Sequence, residues 1–377
     1  MRSKKIILQL HKILGLITGI VVFIVAITGC CWVFKEDIES LYDGHKKVKP
    51  LESPIISTSQ ARAIAEKVYS KNLVHGTVFK KKEDAIEVIF YDADPEFYRS
   101  IFLNPYTGEI IHIEDHLSGF FAFVLKGHTR LWLPKEIGEQ VVGISVLLFI
   151  LIIISGFILW LPKRRKNLKK RMFFDWKKTT RWKRKNFDLH SIVGFYVCSL
   201  ALILAFTGTV MSYDWFQKSI YNILGGDKNP TFLIPKSETK SEDAVFSRVI
   251  LPIDNLLAKL KNENPNAESF EIHYPYSDSD AIYVEVNNSE GLYYDSDFLF
   301  FDQYTLTPIV SETIYGKYRE AKIADKILRM NYDIHIGAIG GVLGKCIAFL
   351  VSLLIASLPV TGLLLWYGRK FKRKKNN

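Results

Sequence analysis

Four stretches of this chain carry almost no charge and are long enough to cross a membrane: 6–34, 137–161, 188–214 and 335–367. A hydrocarbon core about 30 Å thick takes roughly 20 helical residues to span. Core helices of soluble proteins are seldom this long and this apolar. A chain of 377 residues has the length for two or three soluble domains, but its apolar residues are concentrated in these runs. The expected architecture is therefore membrane α-helical, with four transmembrane helices separated by two long polar loops and the lipid bilayer as the first partner.

The basic start Arg2-Ser3-Lys4-Lys5 would also suit a cleaved signal peptide. The apolar run behind it is too long for that and ends in Gly29-Cys30-Cys31-Trp32, with no small-x-small cleavage site. An uncleaved span is the better reading. Orientation follows from the positive charges. The N-terminal tail carries three Lys/Arg, the connector 162–187 thirteen and the tail 368–377 six, against the single acid Asp175. The remainder of the chain is acidic on balance. The positive-inside rule then puts both termini and the connector in the cytoplasm, and the loops on the outer, periplasmic face of a bacterial inner membrane. The net charge of +11 describes topology, and no nucleic-acid partner is expected. All four cysteines fall in spans, so the loops have no disulfide framework or Cys metal site.

The chain reads as a duplication. Leu10-His11-Lys12-Ile13-Leu14-Gly15 matches Leu189-His190-Ser191-Ile192-Val193-Gly194, and 17 residues after each His stand Thr28-Gly29 and Thr207-Gly208. Ser155-Gly156-Phe157-Ile158-Leu159-Trp160 matches Thr361-Gly362-Leu363-Leu364-Leu365-Trp366, with His128 and His335 lying 28 and 27 residues before those glycines. Each half is span, lobe, span, and both halves start inside, which makes them parallel repeats. The lobes, 45–125 and 217–330, repeat as well. A helical pattern (59–68, then 253–261) precedes strand patterns (85–90 and 98–103, then 270–274, 281–286 and 297–301). The turn Asn104-Pro105-Tyr106-Thr107-Gly108 has its counterpart in Asp302-Gln303-Tyr304-Thr305-Leu306, where Leu306 replaces the glycine. Each lobe is expected to be a small α+β unit, one helix on an antiparallel sheet.

The Leu-His-x3-Gly entries, the Thr-Gly pairs, the Gly-x3-Trp exits and the helix–hairpin lobes together resemble PepSY-associated transmembrane proteins. The resemblance covers nearly the whole chain, and the lobes are then PepSY-like. That family includes iron-regulated membrane proteins and ferric-siderophore reductases that bind haem b. The resemblance implies fold more strongly than activity, since members differ in function.

Four of the nine histidines mark span ends. An imidazole in or near the bilayer suggests function by default, and two imidazoles from opposite sides are an established way to hold haem iron. Pairing by repeat and by leaflet gives an inner site of His11 with His190 and an outer site of His128 with His335, for one or two haems b. The bland alternative is an interfacial histidine bonded to lipid or water, and it weighs more on the outer pair. There Pro134 should interrupt any helix joining His128 to the second span. Basic residues near each level (Arg2, Lys4, Lys5 and Lys185 inside; Lys126, Arg130, Lys326 and Arg329 outside) would meet haem carboxylates or serve as snorkelling anchors.

Other signals read as ordinary. Gly337-Ala338-Ile339-Gly340-Gly341 opens a membrane helix and fits close packing better than a nucleotide loop. His112 and His116 would share a metal only if helical, with no third ligand evident. His45, His75 and His273 look like plain lobe residues. Tyr293, Tyr294, Phe298, Phe300 and Phe301 would make either a substrate platform or core, and core is the usual outcome. No polar cytoplasmic segment has room for a flavin or nicotinamide domain. Electrons would have to come from a quinol or a separate cytoplasmic reductase. These readings converge on a haem b transmembrane electron-transfer protein, with a ferric siderophore as the acceptor that the resemblance implies. The rival is a haem-free module that binds or regulates an envelope protease or another membrane protein, or assists iron or siderophore transport.

Overall fold

The computed structural model describes residues 2–162, 168–237 and 250–370. Part of the basic connector (163–167), part of the second loop (238–249) and most of the C-terminal basic tail (371–377) lie outside the described residues.

Two units divide the chain. The first gathers Met1–Lys35, Phe120–Gln217 and Asn331–Asn377. It contains four helices long and apolar enough to cross a membrane, hereafter spans one to four: Arg2–Trp32, Lys135–Trp160, Trp182–Ser212 and Gly341–Lys370. Lipid is as apolar as leucine, so burying apolar surface does not by itself hold such helices together; close approach through small residues does. The bundle interior fits that rule. Ala26 of span one, Ala201 of span three and Ala356 of span four are buried together with Val22, Ile153, Val197, Val351 and Ile355. Gly19 faces span four, where a Cβ on it would be in ordinary contact, 3.5 Å from the Pro359 ring. Span three is not uniform: Leu189–Val193 form a π turn, with His190 in it. Such turns insert a residue into the helical ladder and are often found at functional sites.

Two short helices stand just before spans two and four. Gly119–Arg130 carries His128 and ends at Leu131 and Trp132, both with positive φ (54° and 58°), before Pro134 opens span two. The helical break expected at Pro134 is present. Asn331–Ile336 carries His335 and ends at Gly337, whose φ is 79°. A Cβ there would meet the Gly344 carbonyl at 2.4 Å. This glycine run therefore makes a tight turn against span four and is not a ligand loop.

The second unit comprises Glu36–Gly119 and Lys218–Met330. Its strands are β1 (Val74–Phe79), β2 (Ile86–Ala93), β3 (Glu96–Leu103), β4 (Ile110–Asp115), β5 (Ser269–His273), β6 (Ile282–Asn287), β7 (Ser296–Phe301) and β8 (Pro308–Ile309). They form one eight-stranded antiparallel sheet ordered β4-β3-β2-β1-β5-β6-β7-β8. Each lobe supplies the expected helix and antiparallel strands, and the two half-sheets are in addition joined edge to edge, because β1 pairs with β5 (Gly76 with His273, Val78 with Glu271). The physical reason is that β1 and β5 would otherwise be open edges with unpaired backbone groups.

One face of the sheet carries the helices Thr58–Glu66 and Ile250–Glu263. Ala61, Ala65, Ile253, Leu256 and Leu260 from these helices pack on Val88, Phe90, Ile101, Leu103, Ile272, Val284 and Val286. Here the solvent is water, and each fully buried aliphatic side chain contributes about 1.5–3 kcal/mol. Ser57 and Gln60 form a capping box that starts the first helix. The Ser59 amide and hydroxyl both donate to the Asp254 carboxylate of the second, at 2.8 and 2.5 Å.

The two lobe turns are built alike. The Asn104 Oδ1 accepts from the amides of Tyr106 and Thr107, and the Asp302 Oδ1 accepts from those of Tyr304 and Thr305. Gly108 closes the first turn at φ 73° and Leu306 closes the second at φ 58°. The candidate aromatic platform is divided, with Tyr293 46% exposed and the phenylalanines in packing. Phe300 and Phe301 are buried, and Phe298 packs edge-on against Tyr315.

Candidate histidine sites

All four span-end histidines lie in the first unit, and they meet in two pairs. The rings of His11 and His190 have centroids 6.2 Å apart and planes at 81°; those of His128 and His335 are 6.1 Å apart at 66°. These are the pairs expected from the sequence. The four imidazoles share one local arrangement, in which each ring rests on a Ser/Thr-Gly dipeptide of the other span in its own half. His11 meets Ser155-Gly156 and His128 meets Thr28-Gly29. His190 meets Thr361-Gly362 and His335 meets Thr207-Gly208.

The glycine of each dipeptide supplies room. A Cβ at Gly156, Gly29, Gly362 or Gly208 would approach the Cε1 of its histidine to 3.1, 3.2, 3.3 or 3.3 Å, closer than ordinary van der Waals contact. The hydroxyl fixes the tautomer. Thr207 Oγ1 donates its one proton to the carbonyls of Ile203 or Leu204, at 2.8 and 3.1 Å, in its own helix. It can meet the His335 Nδ1, 2.8 Å away, only as an acceptor. The same holds for Thr361 Oγ1, which donates to Ser357 or Leu358 and lies 3.0 Å from His190 Nδ1. Ser155 Oγ donates to the Ile152 carbonyl and lies 3.0 Å from His11 Nδ1, which is also 3.1 Å from that carbonyl. Thr28 Oγ1 donates to Ile24 or Val25, and the His128 Nδ1 lies 2.9 Å from the Val25 carbonyl. In all four rings Nδ1 therefore carries the proton, and Nε2 holds the lone pair that a metal would take.

Two asparagines add a clamp in the second half alone. Asn186 Nδ2 donates to the carbonyl of Thr361 at 3.1 Å, and Asn331 Nδ2 to that of Thr207 at 3.0 Å. Each stands four residues before its histidine. The corresponding positions of the first half hold Ile7 and Val124. Trp160 stacks flat on Phe195 at 3.7 Å, and its Nε1 donates to the Arg171 carbonyl. This packing joins spans two and three at the end that holds His11 and His190.

The basic residues divide. Arg329 is buried in the second unit and donates to the carbonyls of Ser296, Tyr294 and Gly316. It is thereby committed to the lobe, against the expectation of a haem-carboxylate partner. Lys326 lies over the Tyr318 ring. Lys4 Nζ donates to the Leu161 carbonyl at the end of span two, and Lys185 lies over the Trp176 ring. These contacts suit anchors.

The lobe histidines depart from expectation. His112 lies on strand β4 against His45, with ring centroids 4.1 Å apart, so the helical pair His112/His116 does not exist. His116 Nε2 lies 2.8 Å from the Ser100 hydroxyl. His75 is hydrogen-bonded to the Tyr276 hydroxyl. Burial first and the neighbouring His273 second push it down to about 4.

Four apolar spans, paired histidines near their ends and a sheet-and-helix unit formed from the two long loops define a multi-pass membrane protein with soluble lobes. The chain belongs to the PepSY-associated transmembrane family: the model of the PepSY-associated TM region matches residues 8–369. No curated protein matches the chain.

Proposed function

We propose that this protein is a haem b electron-transfer protein of the bacterial inner membrane, built as two parallel repeats. One observation carries the reading. Four imidazoles, each with Nδ1 tied to the neighbouring span and Nε2 left as the lone-pair nitrogen, face one another in two pairs. Two rings on opposite sides of one metal ion, with bonds of about 2 Å and ring radii of about 1 Å, have centroids about 6 Å apart. The separations of 6.2 and 6.1 Å suit that arrangement. Bound by His11 with His190 and by His128 with His335, haem b would supply reversible one-electron transfer.

The chain's own part is to orient. The Ser/Thr hydroxyls hold each imidazole in one tautomer, the glycines let it approach, and Asn186 and Asn331 brace the dipeptides of the second half. The use of the same contacts in both halves supports the reading as repeats. The charge asymmetry supports cytoplasmic termini and periplasmic lobes. Electrons would enter from a quinol or a separate cytoplasmic reductase and leave to an acceptor at the lobes. A ferric siderophore is the acceptor that the family resemblance implies.

The test is the protein's colour. Full-length protein purified in detergent from haem-replete cells should show a reducible low-spin b-type spectrum with two haems per chain. Its electron-paramagnetic resonance should be that of iron held by two imidazoles. Colourless protein would overturn the proposal in favour of a haem-free module that binds a partner protein.

A further inference from the structure

The sheet has a second face, turned away from the lobe helices. On it the side chains of Glu271 and His273 (β5) and Glu285 (β6) converge, with their ligand-capable atoms all within 4.8 Å of one another. The placement follows from strand geometry. Residues 271 and 273 are two apart on β5 and so share a face, and Glu285 stands directly opposite Glu271 in the β5–β6 register.

Such a pairing is unfavourable alone. Like charges directly across a strand pair repel, and burial strengthens the repulsion. The neighbouring histidine approaches only one of the two carboxylates, that of Glu271. His273 is 6% exposed, and neither of its ring nitrogens has a hydrogen-bond partner. Its Nε2 lies 3.2 Å from Glu271 Oε1, but not in line for a hydrogen bond. A buried imidazole with two unmatched nitrogens is costly unless something else fills the role.

The surroundings keep this geometry rigid and open. Tyr283 stacks flat on the His273 ring at 3.8 Å, fixing its plane. On the other side stands Gly76 of β1, where a Cβ would lie 3.4 Å from His273 Nδ1 and 3.6 Å from Glu271 Oε1. A larger residue there would crowd both groups. The Glu271 side chain is 28% exposed, which leaves a route in from solvent.

We infer that Glu271, His273 and Glu285 form a binding site for a first-row divalent transition-metal ion in the lobes, separate from the membrane histidines. One imidazole nitrogen and two carboxylates are the mixed donor set that such ions (zinc, manganese, ferrous iron) take in preference to soft cations. A cation between the two carboxylates removes their repulsion and gives the buried imidazole its partner. The donor atoms lie no more than 4.8 Å apart, close to the about 4.2 Å across an ion with bonds of about 2.1 Å, so small side-chain rotations would close the site. Open positions would remain for water or an incoming ligand. The inference does not depend on haem.

Cobalt(II) is a suitable probe, because its visible absorption reports binding and haem iron does not exchange with it. Full-length detergent-purified protein, stripped with a chelator, should bind one cobalt(II) per chain. Zinc(II) should displace it competitively. Glu285→Gln, which keeps size and shape, should weaken binding at least tenfold, and His273→Ala should abolish it. If His273→Ala fails to fold, the wild type still decides the matter through its unfolding temperature, which zinc(II) should raise. Equal binding by wild type and Glu285→Gln, or no zinc effect on wild-type unfolding, would overturn the site.

Discussion

The His335 Nδ1 lies 2.8 Å from the Thr207 hydroxyl, whose single proton is already directed at the carbonyls of its own helix. The imidazole must therefore donate, and its Nε2 is left basic. Partners of this kind typically change metal affinity by about 10–100-fold. Thr207→Val keeps the shape but removes the acceptor. It should weaken haem binding at the His128/His335 site by roughly tenfold or more and shift its reduction potential, while Thr207→Ser should restore both. Haem titration and a redox titration of the purified variants would decide; an unchanged potential in Thr207→Val would remove the hydroxyl from the proposed site.

The pairing of histidines makes a sharper demand. Residues that act on one ligand as a unit are not additive. His11→Ala and His190→Ala should each cost the same haem, and the double variant should lose little more. His128→Ala and His335→Ala should behave as a second such pair and leave the first haem in place. Haem content by pyridine haemochrome assay separates the outcomes. Additive losses from His11→Ala and His190→Ala would sink the shared-iron model even if the protein were red.

The charge asymmetry predicts sidedness. A reporter active only outside the cytoplasm should work when fused near Lys80 or Asn287 and fail near Lys178. The reverse pattern would invert which histidine pair faces which compartment.

The two lobe turns offer a stability test. Gly108→Ala places a Cβ at positive φ and within 2.7 Å of the Ile64 Cδ1. A loss of about 1–3 kcal/mol is expected. Leu306→Gly relieves about 1 kcal/mol of backbone cost but gives up the packing of a partly buried leucine against the lobe core, worth about 2 kcal/mol. Its net effect should be a destabilisation of about 1 kcal/mol. Pulse proteolysis of the purified variants measures both, and a neutral Gly108→Ala would show that the turn tolerates a side chain.

The spans and the four histidines were legible because hydropathy, charge and repetition are one-dimensional signals. The partners of those histidines were visible only as repeat markers. Thr28-Gly29 and Ser155-Gly156 were noticed for their matching spacing, yet nothing in the order of residues says that each faces the other span's imidazole. The clamps at Asn186 and Asn331 were missed because they occur in one half only, and duplication was the guide. The joined sheet escaped for another reason. Val74-His75-Gly76 lacks the alternation of a strand, and its partner β5 lies in the other half of the chain. His273 looked ordinary because Glu285 reaches it from the adjoining strand, across the register rather than along the chain.

The contacts that orient His11 and His128 close entirely within the first half of the chain. A ribosome that has released Trp160 into the membrane has already delivered both Ser155-Gly156 and Thr28-Gly29 to their imidazoles. Two basic Nε2 atoms are thus aimed before His190 and His335 have entered the membrane. Under the proposed reading, haem capture becomes the closing event of biogenesis, timed by synthesis of the second half.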